Sequence, residues 1–335
     1  MIQVGILGAT GYTALELLKL LLRHPEVEIT TLTSRQEDRP HLASIHPELT
    51  GRLNLHLENL APQTIAAKAD CVFSCLPHAA SAALVKQVLA AGSRVIDFSA
   101  DYRLQDLETY LKWYGDEHPD PERIGHVPYG LPELFADKIR SADLVANPGC
   151  NPTAPILGLA PLLKQGLIQP YDIIVDAKCG VSGAGRTPKM ATLFPECNES
   201  VTPYGVGQHR HTPEFNQILT QVTQQAVDVL FTPHLVPMSR GILTTTYVLP
   251  QGTRDVSELM SSLRAFYADC PFVRIVEHLP STKHTLETNF CDLTVRQVRN
   301  RFAILGSIDN LCKGASGAAV QNFNLMFGFD ETTAL

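Results

Sequence analysis

The chain has 335 residues, enough for about two domains, and 44% of them are hydrophobic, which excludes a short peptide and a disordered chain. Its 27 Lys and Arg residues are outnumbered by 34 Asp and Glu residues, for a net charge of −7 with His neutral, so nucleic acid and anionic membranes are not expected partners. No apolar run reaches the roughly 20 residues that a membrane-spanning helix needs.

The first half of the chain alternates between strand and helix patterns. A helix pattern follows the first strand, and another covers 79–91. This alternation predicts an α/β domain with a parallel sheet and crossover helices. The predicted strands are 2–7, 27–32, 71–75, 94–98 and 144–146.

The pattern changes after Cys150. A helix is predicted up to Gln165, and helices are also predicted over 213–225 and 256–268. Longer strand-like runs lie between them, which predicts an α+β domain with a mixed or antiparallel sheet. A final helical segment, at about 315–328, is expected to return to the first domain. The strand-like runs are 172–179, 227–235, 241–249, 291–298 and 302–308.

A glycine turn links the first strand to the first helix. Gly8 and Gly11 belong to a GxxGxxA pattern that ends at Ala14. Glycines at this place permit a tight turn and let a pyrophosphate approach the helix N-terminus. The segment therefore predicts a dinucleotide site, with a glycine turn that binds no ligand as the alternative.

The end of the second strand indicates which dinucleotide binds. An NAD site usually has an acidic residue there, whereas this chain has Ser34 and Arg35. A hydroxyl and a guanidinium suit a 2′-phosphate, so NADP(H) is favoured. The alternative is that Arg35 is an ordinary solvated surface residue.

Cys150 stands between Pro148 and Pro152 at the start of a helix pattern. Unpaired amides and the helix dipole stabilise a thiolate at this place, so Cys150 is a candidate nucleophile, with a structural cysteine as the alternative. The other seven cysteines form no CxxC pair, and most are expected to be buried free thiols. This usage predicts a reducing, cytoplasmic compartment, and no secretory signal is expected.

Two imidazoles, a guanidinium and a carboxylate are crowded into residues 204–214. We interpret His211 as a general acid and base, His209 as a residue that orients the substrate, and Arg210 as a contact for an anionic group. The HxH spacing also suits a metal, but no third ligand lies nearby in sequence, and no metal is expected.

Further basic residues follow other predicted strands. Arg103, and Arg186 with Lys189 in a glycine-rich loop, are candidates for binding an oxyanion, with solvated loop charges as the alternative. Residues 310–317 offer backbone amides before the last helix pattern, where a capped helix start is the alternative.

In this order, these segments resemble the N-acetyl-γ-glutamyl-phosphate reductase family of arginine biosynthesis, which belongs with aspartate-semialdehyde dehydrogenase. The resemblance covers essentially the whole chain, although Asn151 stands where the family usually has Tyr. The segments that carry it are GATGYT (8–13), SADYR (99–103), NPGC (147–150), GVSGAGR (180–186), YGVGQHRHTPE (204–214), PHLVPMSRGIL (233–243) and NLCKGASG (310–317).

The resemblance implies an N-terminal Rossmann domain and an α+β catalytic and oligomerisation domain with a mixed sheet. We predict NADP binding over 1–148 together with the C-terminal helix, about 313–335, and catalysis over 149–312. The family further implies a homodimer or homotetramer that acts on a small acyl phosphate.

The implied activity is the NADPH-dependent reductive dephosphorylation of N-acetyl-γ-glutamyl phosphate through a cysteine thioester. Cys150 would be the nucleophile, His211 the acid and base, and His209 a substrate-orienting neighbour. Substrate contacts are expected at Arg103, Arg186, Lys189 and Arg210. NADP(H) contacts are expected at Gly8, Thr10, Gly11, Tyr12, Thr13, Ser34, Arg35, Cys75, Pro77, Ser182, Gly183, Asn310, Lys313 and Gly314.

Two alternatives remain open at this point. One is a reductase of an N-blocked aminoadipyl phosphate in lysine biosynthesis, since one methylene changes binding by only about 1–3 kcal/mol. The other is a non-catalytic NADP-binding protein with the same fold.

Overall fold

A computed structural model describes residues 1–36 and 38–335. The chain divides into two compact units, of which the first comprises Met1–Pro148 and Ala315–Leu335 and the second Gly149–Gly314. Across the described ranges, no helix is both long enough and apolar enough to cross a membrane.

The strands of the first unit form one parallel sheet. Its order is β3-β2-β1-β4-β5-β6, with the first strand of the chain near the middle. This is the doubly wound arrangement that the alternating pattern predicts, and the α/β fold class is confirmed. The strands are β1 (Ile2–Leu7), β2 (Val27–Thr33), β3 (Leu57–Glu58), β4 (Cys71–Ser74), β5 (Arg94–Asp97) and β6 (Leu144–Ala146).

Helices of the first unit contribute to apolar clusters on this sheet. Leu17 and Phe323 belong to one cluster and Val85 to another. Strands buried in this way read as continuous apolar runs, which is why β1 could be predicted from the sequence. The helices are α1 (Tyr12–Leu21), α2 (Leu42–Ile45), α3 (Pro62–Ala66), α4 (Ala82–Ala90), α5 (Leu107–Tyr114), α6 (Pro132–Arg140) and, at the end of the chain, α12 (Gly317–Phe327).

The second unit contains a mixed sheet in the order β11-β12-β13-β10-β7-β9-β8. Most neighbours are antiparallel, and the pairs β7–β9 and β11–β12 are parallel. The predicted α+β domain is confirmed. The strands are β7 (Ile173–Gly180), β8 (Thr202–Pro203), β9 (Val229–Val236), β10 (Ile242–Val248), β11 (Val273–Ile275), β12 (Cys291–Val298) and β13 (Arg301–Ile308). The helices are α7 (Cys150–Lys164), α8 (Phe194–Cys197), α9 (Thr212–Thr223), α10 (Val256–Phe266) and α11 (Thr282–Thr285).

Helix α7 is the buried centre of the second unit and packs against α9, α10 and β13. It contains two interior prolines, and Pro161 cannot donate to the carbonyl of Leu157. The hydroxyl of Tyr267 donates to that carbonyl instead, at 2.5 Å. A buried acceptor that the proline would leave unpaired is therefore satisfied, and the helix continues to Lys164.

Some predicted boundaries were wrong for identifiable reasons. The helix predicted over 79–91 begins only at Ala82, because the Asp101 carboxylate accepts from the backbone N–H groups of Ala79, Ser81 and Ala82. The last helix begins at Gly317 rather than at 315, after a π-helical turn over Cys312–Ser316. Helices α5 and α6 were not predicted.

Candidate active site

Cys150 is the first residue of α7, and Gly149 occupies the N-cap position. No side chain from the described residues caps this helix start. The first-turn amides and the helix dipole therefore favour a thiolate at Cys150. Gly314 packs closely on the same residue, since a Cβ there would lie 2.9 Å from the Cβ of Cys150. Gly314, predicted as a cofactor contact, thus lies against the candidate nucleophile.

A second thiol, Cys179 at the end of β7, lies beside Cys150 and is buried. The pKa of Cys179 is raised, first by a side-chain hydrogen bond with Cys150 and then by burial. Cys179 therefore keeps its proton and can donate a hydrogen bond to the sulfur of Cys150. The sequence predicts a buried structural thiol at Cys179, and no local sequence pattern indicates its contact with Cys150.

His211 and Glu214, at the start of α9, pack against Gly149. The His211 Nε2 atom lies 3.9 Å from Oε1 of Glu214, and the backbone N–H of Gly149 donates to Oε2 of Glu214 at 3.1 Å. A Cβ on Gly149 would lie 2.8 Å from His211 Nε2 and 2.9 Å from Glu214 Oε2. Only glycine therefore lets the imidazole and the buried carboxylate approach the residue next to Cys150.

His209 lies in a mostly aromatic surrounding. Its ring centroid is 5.3 Å from that of Tyr204, 4.8 Å from that of His211 and 5.2 Å from that of Phe231. Its Nδ1 accepts from the backbone N–H of His211 at 3.1 Å. Burial, followed by the nearby charge of Arg210, lowers the pKa of His209 to about 4. The ring is therefore neutral near pH 7, which suits orientation rather than proton transfer.

Tyr204 and Asn151 extend this cluster. The Asn151 Nδ2 atom lies 3.4 Å from His211 Nδ1, and the Asn151 side chain hydrogen bonds with Tyr204. Burial is the main cause that raises the pKa of Tyr204, so its hydroxyl stays protonated. Tyr204 belonged to the crowded segment of the sequence but was not predicted as a site residue.

The basic residues predicted to bind substrate have different surroundings. Arg103 is buried in the first unit, where its Nε donates to the carbonyl of Asn147 and its Nη2 to that of Phe98, both at 2.7 Å. The alternative of a solvated loop charge is therefore wrong for Arg103. The remaining three predicted contacts, Arg186, Lys189 and Arg210, are exposed residues of the second unit.

The predicted glycine turn of the first unit can hold a pyrophosphate. Gly8 has φ +72°, and a Cβ there would lie 2.9 Å from the carbonyl oxygen of Cys75. Gly11 is the N-cap of α1, and no side chain of residues 1–36 or 38–335 caps it. A Cβ on Gly11 would meet only Thr13 Oγ1, at 3.9 Å, so the amides of α1 have open space before them. These residues fit a dinucleotide phosphate.

The other predicted cofactor residues of the first unit surround this turn. Arg35 is exposed just after β2, and the half-buried Ser34 is tied to β3 by its backbone N–H, which donates to the carbonyl of Glu58. Burial raises the pKa of Cys75 to about 12, so its thiol is neutral. Three of the residues, Thr10, Tyr12 and Thr13, lie at the start of α1 and Pro77 lies after β4, with Tyr12 and Pro77 exposed.

The predicted cofactor side chains of the second unit are engaged within that unit. The Asn310 amide accepts from the backbone N–H of Gly241 at 2.7 Å and donates to Ser182 Oγ at 2.9 Å. Lys313 is fully buried, with its Nζ 5.7 Å from the ring centroid of Phe272. A Cβ on Gly183 would lie 2.7 Å from Cys179 Sγ. The Asn310 and Lys313 side chains therefore both contact neighbouring segments of the second unit.

Each half of the chain matches a known protein family. Residues 3–142 match the family described as semialdehyde dehydrogenase, NAD binding domain, and residues 150–310 match the one described as semialdehyde dehydrogenase, dimerisation domain. The aspartate semialdehyde dehydrogenase II of Vibrio cholerae, solved with ASA, has a TM-score of 0.75 and 17% identity. The Candida albicans aspartate semialdehyde dehydrogenase, solved with NADP, has a TM-score of 0.74 and 17% identity. Each match covers 98% of both chains. The fold is therefore that of the semialdehyde dehydrogenase class.

Relatives with similar sequences indicate one particular family within this class. Proteins named N-acetyl-gamma-glutamyl-phosphate reductase are 55% identical in Rhodopirellula baltica, 50% in Geotalea daltonii and 49% in Moorella thermoacetica. Each alignment spans 100% of this chain and 98% of the relative. The chain belongs to the N-acetyl-γ-glutamyl-phosphate reductase family, and the resemblance seen in the sequence is confirmed.

Proposed function

We propose that the chain is an enzyme that reduces N-acetyl-γ-glutamyl phosphate with NADPH to N-acetylglutamate semialdehyde and phosphate, a step of arginine biosynthesis. The observation that carries the proposal is the convergence of Cys150, His211 and Glu214 on Gly149. The relatives that span the whole chain carry the name of this reductase, which supports the substrate. A sensor without catalytic function would not need a nucleophile and a base at one helix start.

Cys150 performs the first covalent step. Its thiolate attacks the acyl carbonyl carbon, the bond from that carbon to the phosphate oxygen breaks, and inorganic phosphate leaves. The N-terminal amides of α7 stabilise the charge that develops during the attack. The S–H group of Cys179 donates a hydrogen bond to the Cys150 sulfur while that sulfur is a thiolate, and acylation of the sulfur removes this charged acceptor.

His211 performs the proton transfers of the second half. NADPH, when bound, supplies the hydride that reduces the acyl group. His211 donates a proton to the carbonyl oxygen as that oxygen gains charge, and it removes the proton when the C–S bond breaks and the aldehyde leaves. Glu214 holds His211 by its carboxylate and is a positioning residue. The neutral His209 orients the substrate.

Substrate anions are assigned to the basic residues predicted for them. Arg103 is held rigidly by two carbonyls, so it suits the recognition of a planar anion. The exposed Arg186, Lys189 and Arg210 are proposed to contact phosphate or carboxylate from the second unit.

NADP(H) is assigned to the first unit. The amides at the start of α1, after the turn of Gly8 and Gly11, would hold the pyrophosphate, and Ser34 with Arg35 would hold the 2′-phosphate. On the second unit, the proposed further NADP(H) contacts are Ser182, Gly183, Asn310, Lys313 and Gly314.

Assembly and compartment complete the proposal. We assign subunit association to the second unit, as a homodimer or homotetramer, because residues 150–310 match a dimerisation domain. None of the eight cysteines among the described residues forms a disulfide, which supports a reducing cytoplasm. Light scattering on the purified protein, with and without NADPH, measures the assembly.

The test of the activity runs the reaction in reverse. Purified protein is given NADP⁺, phosphate and N-acetylglutamate semialdehyde, and NADPH formation is followed. A parallel assay uses the aminoadipate semialdehyde homologue, which is longer by one methylene. The proposal expects phosphate-dependent reduction of NADP⁺ and a kcat/KM at least about tenfold higher for the glutamate compound, as one methylene allows. Preference for the longer aldehyde, or no turnover of either, would overturn it.

A further inference from the structure

A cluster of two imidazoles and a carboxylate lies in the second unit, among residues that the proposed reaction does not use. His278 follows β11, His284 belongs to α11, and Asp292 is the second residue of β12. One potential ligand atom from each residue lies within 4.8 Å of the other two. The two imidazole rings meet edge to face, with centroids 5.1 Å apart.

The carboxylate supplies a second, independent observation. Asp292 is 1% exposed, and its Oδ1 accepts from Nε of Arg274 at 2.6 Å. Its Oδ2 is also buried but finds no hydrogen-bond partner among the residues that the structure describes. A buried carboxylate oxygen in this condition is costly unless another group satisfies it, and a cation is such a group. Both imidazoles belong to exposed residues and can adjust their side chains toward it.

The positive charge of Arg274 acts against cation binding, but the guanidinium is held by contacts with other protein groups. Its guanidinium lies 4.2 Å from the ring centroid of Phe290, and its Nη2 donates to the backbone carbonyl of His284. Arg274 is therefore committed to three protein groups around the cluster. It offsets the charge of Asp292, which excludes a hard ion such as Ca²⁺ that relies on several carboxylates. A borderline ion that takes imidazole nitrogen as its main donor is still favoured.

We propose that His278, His284 and Asp292 bind a divalent transition-metal ion, with Zn²⁺ as the first choice. Ligand atoms of a tetrahedral Zn²⁺ site are about 3.4 Å apart, as metal–ligand bonds of about 2.1 Å require. The present spacing closes by rotation of the two exposed imidazoles, and water takes the fourth position. The ion joins the 276–290 connection to β12 and stabilises the second unit rather than taking part in the reduction.

This site departs from the expectation of no metal, which rested on the histidines of residues 204–214. His278 and His284 are six positions apart and Asp292 follows eight positions later, which is not a spacing that sequence rules assign to zinc. The fold brings them together because β11 and β12 pair in parallel, and the connection between these two strands carries His278 and His284.

The experiment measures Zn²⁺ affinity by competition with a chromophoric chelator, on full-length protein without a polyhistidine tag. His278→Asn and His284→Asn each remove one ligand, and His126→Asn, an exposed histidine of the first unit, is the matched control. The proposal expects one Zn²⁺ per chain, an affinity at least about tenfold weaker in both ligand variants, and no change in the control. Zn²⁺ should raise the Tm of wild type and control but not that of His284→Asn.

Cobalt substitution separates this site from the thiols of the chain. Co²⁺ held by nitrogen and oxygen gives d–d bands without the near-ultraviolet band of cobalt bound to sulfur. A thiolate band at the first equivalent would overturn the proposal, as would equal Zn²⁺ affinity in all variants. Zn²⁺ binding that strengthens with protein concentration would also overturn it, because the ion would then bridge two copies. Metal-free His284→Asn should keep wild-type reductase activity, so failure of this site is distinguishable from failure of the proposed reaction.

Discussion

The starts of α1 and α7 show two uses of one local structure. In each, a helix follows a strand, a glycine takes the N-cap position, and the cap receives no side chain from the described part of the chain. A Cβ on Gly11 would meet nothing closer than 3.9 Å. At Gly149 the same space is taken by His211 Nε2 and Glu214 Oε2, at 2.8 and 2.9 Å.

The difference fits the roles proposed for the two helix starts, which are phosphate recognition at α1 and covalent chemistry at α7. The start of α1 leaves its amides open, so backbone alone can hold a phosphate and neighbouring residues suffice. The start of α7 carries a thiol, and its supporting groups come from far along the chain, as Gly149 and Glu214 are 65 residues apart. Bond making requires placed side chains, and only tertiary structure can place them.

The largest expected effect distinguishes Cys150, at the start of α7, from Cys179, at the end of β7. Cys150→Ser should lower kcat by at least about 10⁴-fold, because the hydroxyl is not a thiolate and the covalent route is lost. Cys179→Ser is the matched control. Its hydroxyl can still donate to the Cys150 sulfur, so kcat should stay within about tenfold. Steady-state kinetics measure both, and comparable losses would mean that the roles are wrongly assigned.

The next largest expected effect distinguishes the role of His211 from that of His209. His211→Asn should lower kcat by about 10²- to 10⁴-fold, as expected for the loss of a general acid and base. His209→Asn should raise the substrate KM by about tenfold with a smaller change in kcat. Since the pKa of His209 is about 4, its replacement should leave the pH profile of kcat between pH 5 and 8 unchanged. Loss of the acidic limb of that profile in His209→Asn would show that His209 transfers the proton.

An alanine at each N-cap tests the comparison directly. Gly149→Ala puts a Cβ into the space of His211 and Glu214 and should lower kcat by about 10²-fold, because a misplacement of about 1 Å is enough. Gly11→Ala meets no close atom and should leave kcat nearly unchanged, with a rise only in the KM for NADPH. Circular dichroism controls for folding. Equal losses of kcat would remove the distinction between the two helix starts.

Cofactor choice gives a smaller effect, confined to the first unit. Arg35→Ala should raise the KM for NADPH by about tenfold, because a charge-assisted contact to the 2′-phosphate is lost. The KM for NADH, which lacks that phosphate, should not change. Arg52→Ala, another exposed arginine of this unit, is the control. A parallel rise with both cofactors would mean that Arg35 acts on the fold and not on the phosphate.

The smallest effect concerns stability in acid. His209 has a pKa of about 4 when folded, below its ordinary value of 6.5. As the pH falls from 6.5 toward 4, the unfolded chain takes up a proton there that the folded chain does not, so the free energy of unfolding decreases. His209→Asn should therefore lose less stability than wild type between pH 7 and 5. Urea titrations at both pH values measure this, and equal losses would contradict the pKa shift.

Features formed by residues that are neighbours in sequence could be predicted, whereas contacts between distant segments of the chain could not. The β1 turn and α1 were predictable, because strand, glycines and helix are neighbours in sequence. The position of Cys150 at a helix start was predictable for the same reason, since two prolines and a helix pattern surround it. The contact of Cys179 with Cys150 was not predictable, because it joins β7 to α7.

Other contacts of the site residues also depend on tertiary packing. Asn310 and Lys313 are predicted cofactor contacts, but no sequence pattern indicates that the Asn310 side chain bridges Ser182 and Gly241 or that Lys313 lies over Phe272. Arg103 is a predicted oxyanion contact, but the sequence does not indicate its burial or the two carbonyls to which it donates. Contacts that form only through tertiary packing leave no local sequence pattern from which they could be predicted.

The central claim is that the second unit performs the covalent step before any hydride is needed. The most direct test adds freshly prepared N-acetyl-γ-glutamyl phosphate to the enzyme without NADPH and measures released phosphate and the mass of the protein. The account predicts a burst of about one phosphate per chain and an N-acetylglutamyl group on Cys150, both absent in Cys150→Ser. Phosphate release only when NADPH is present, or an acyl group on another residue, would contradict it.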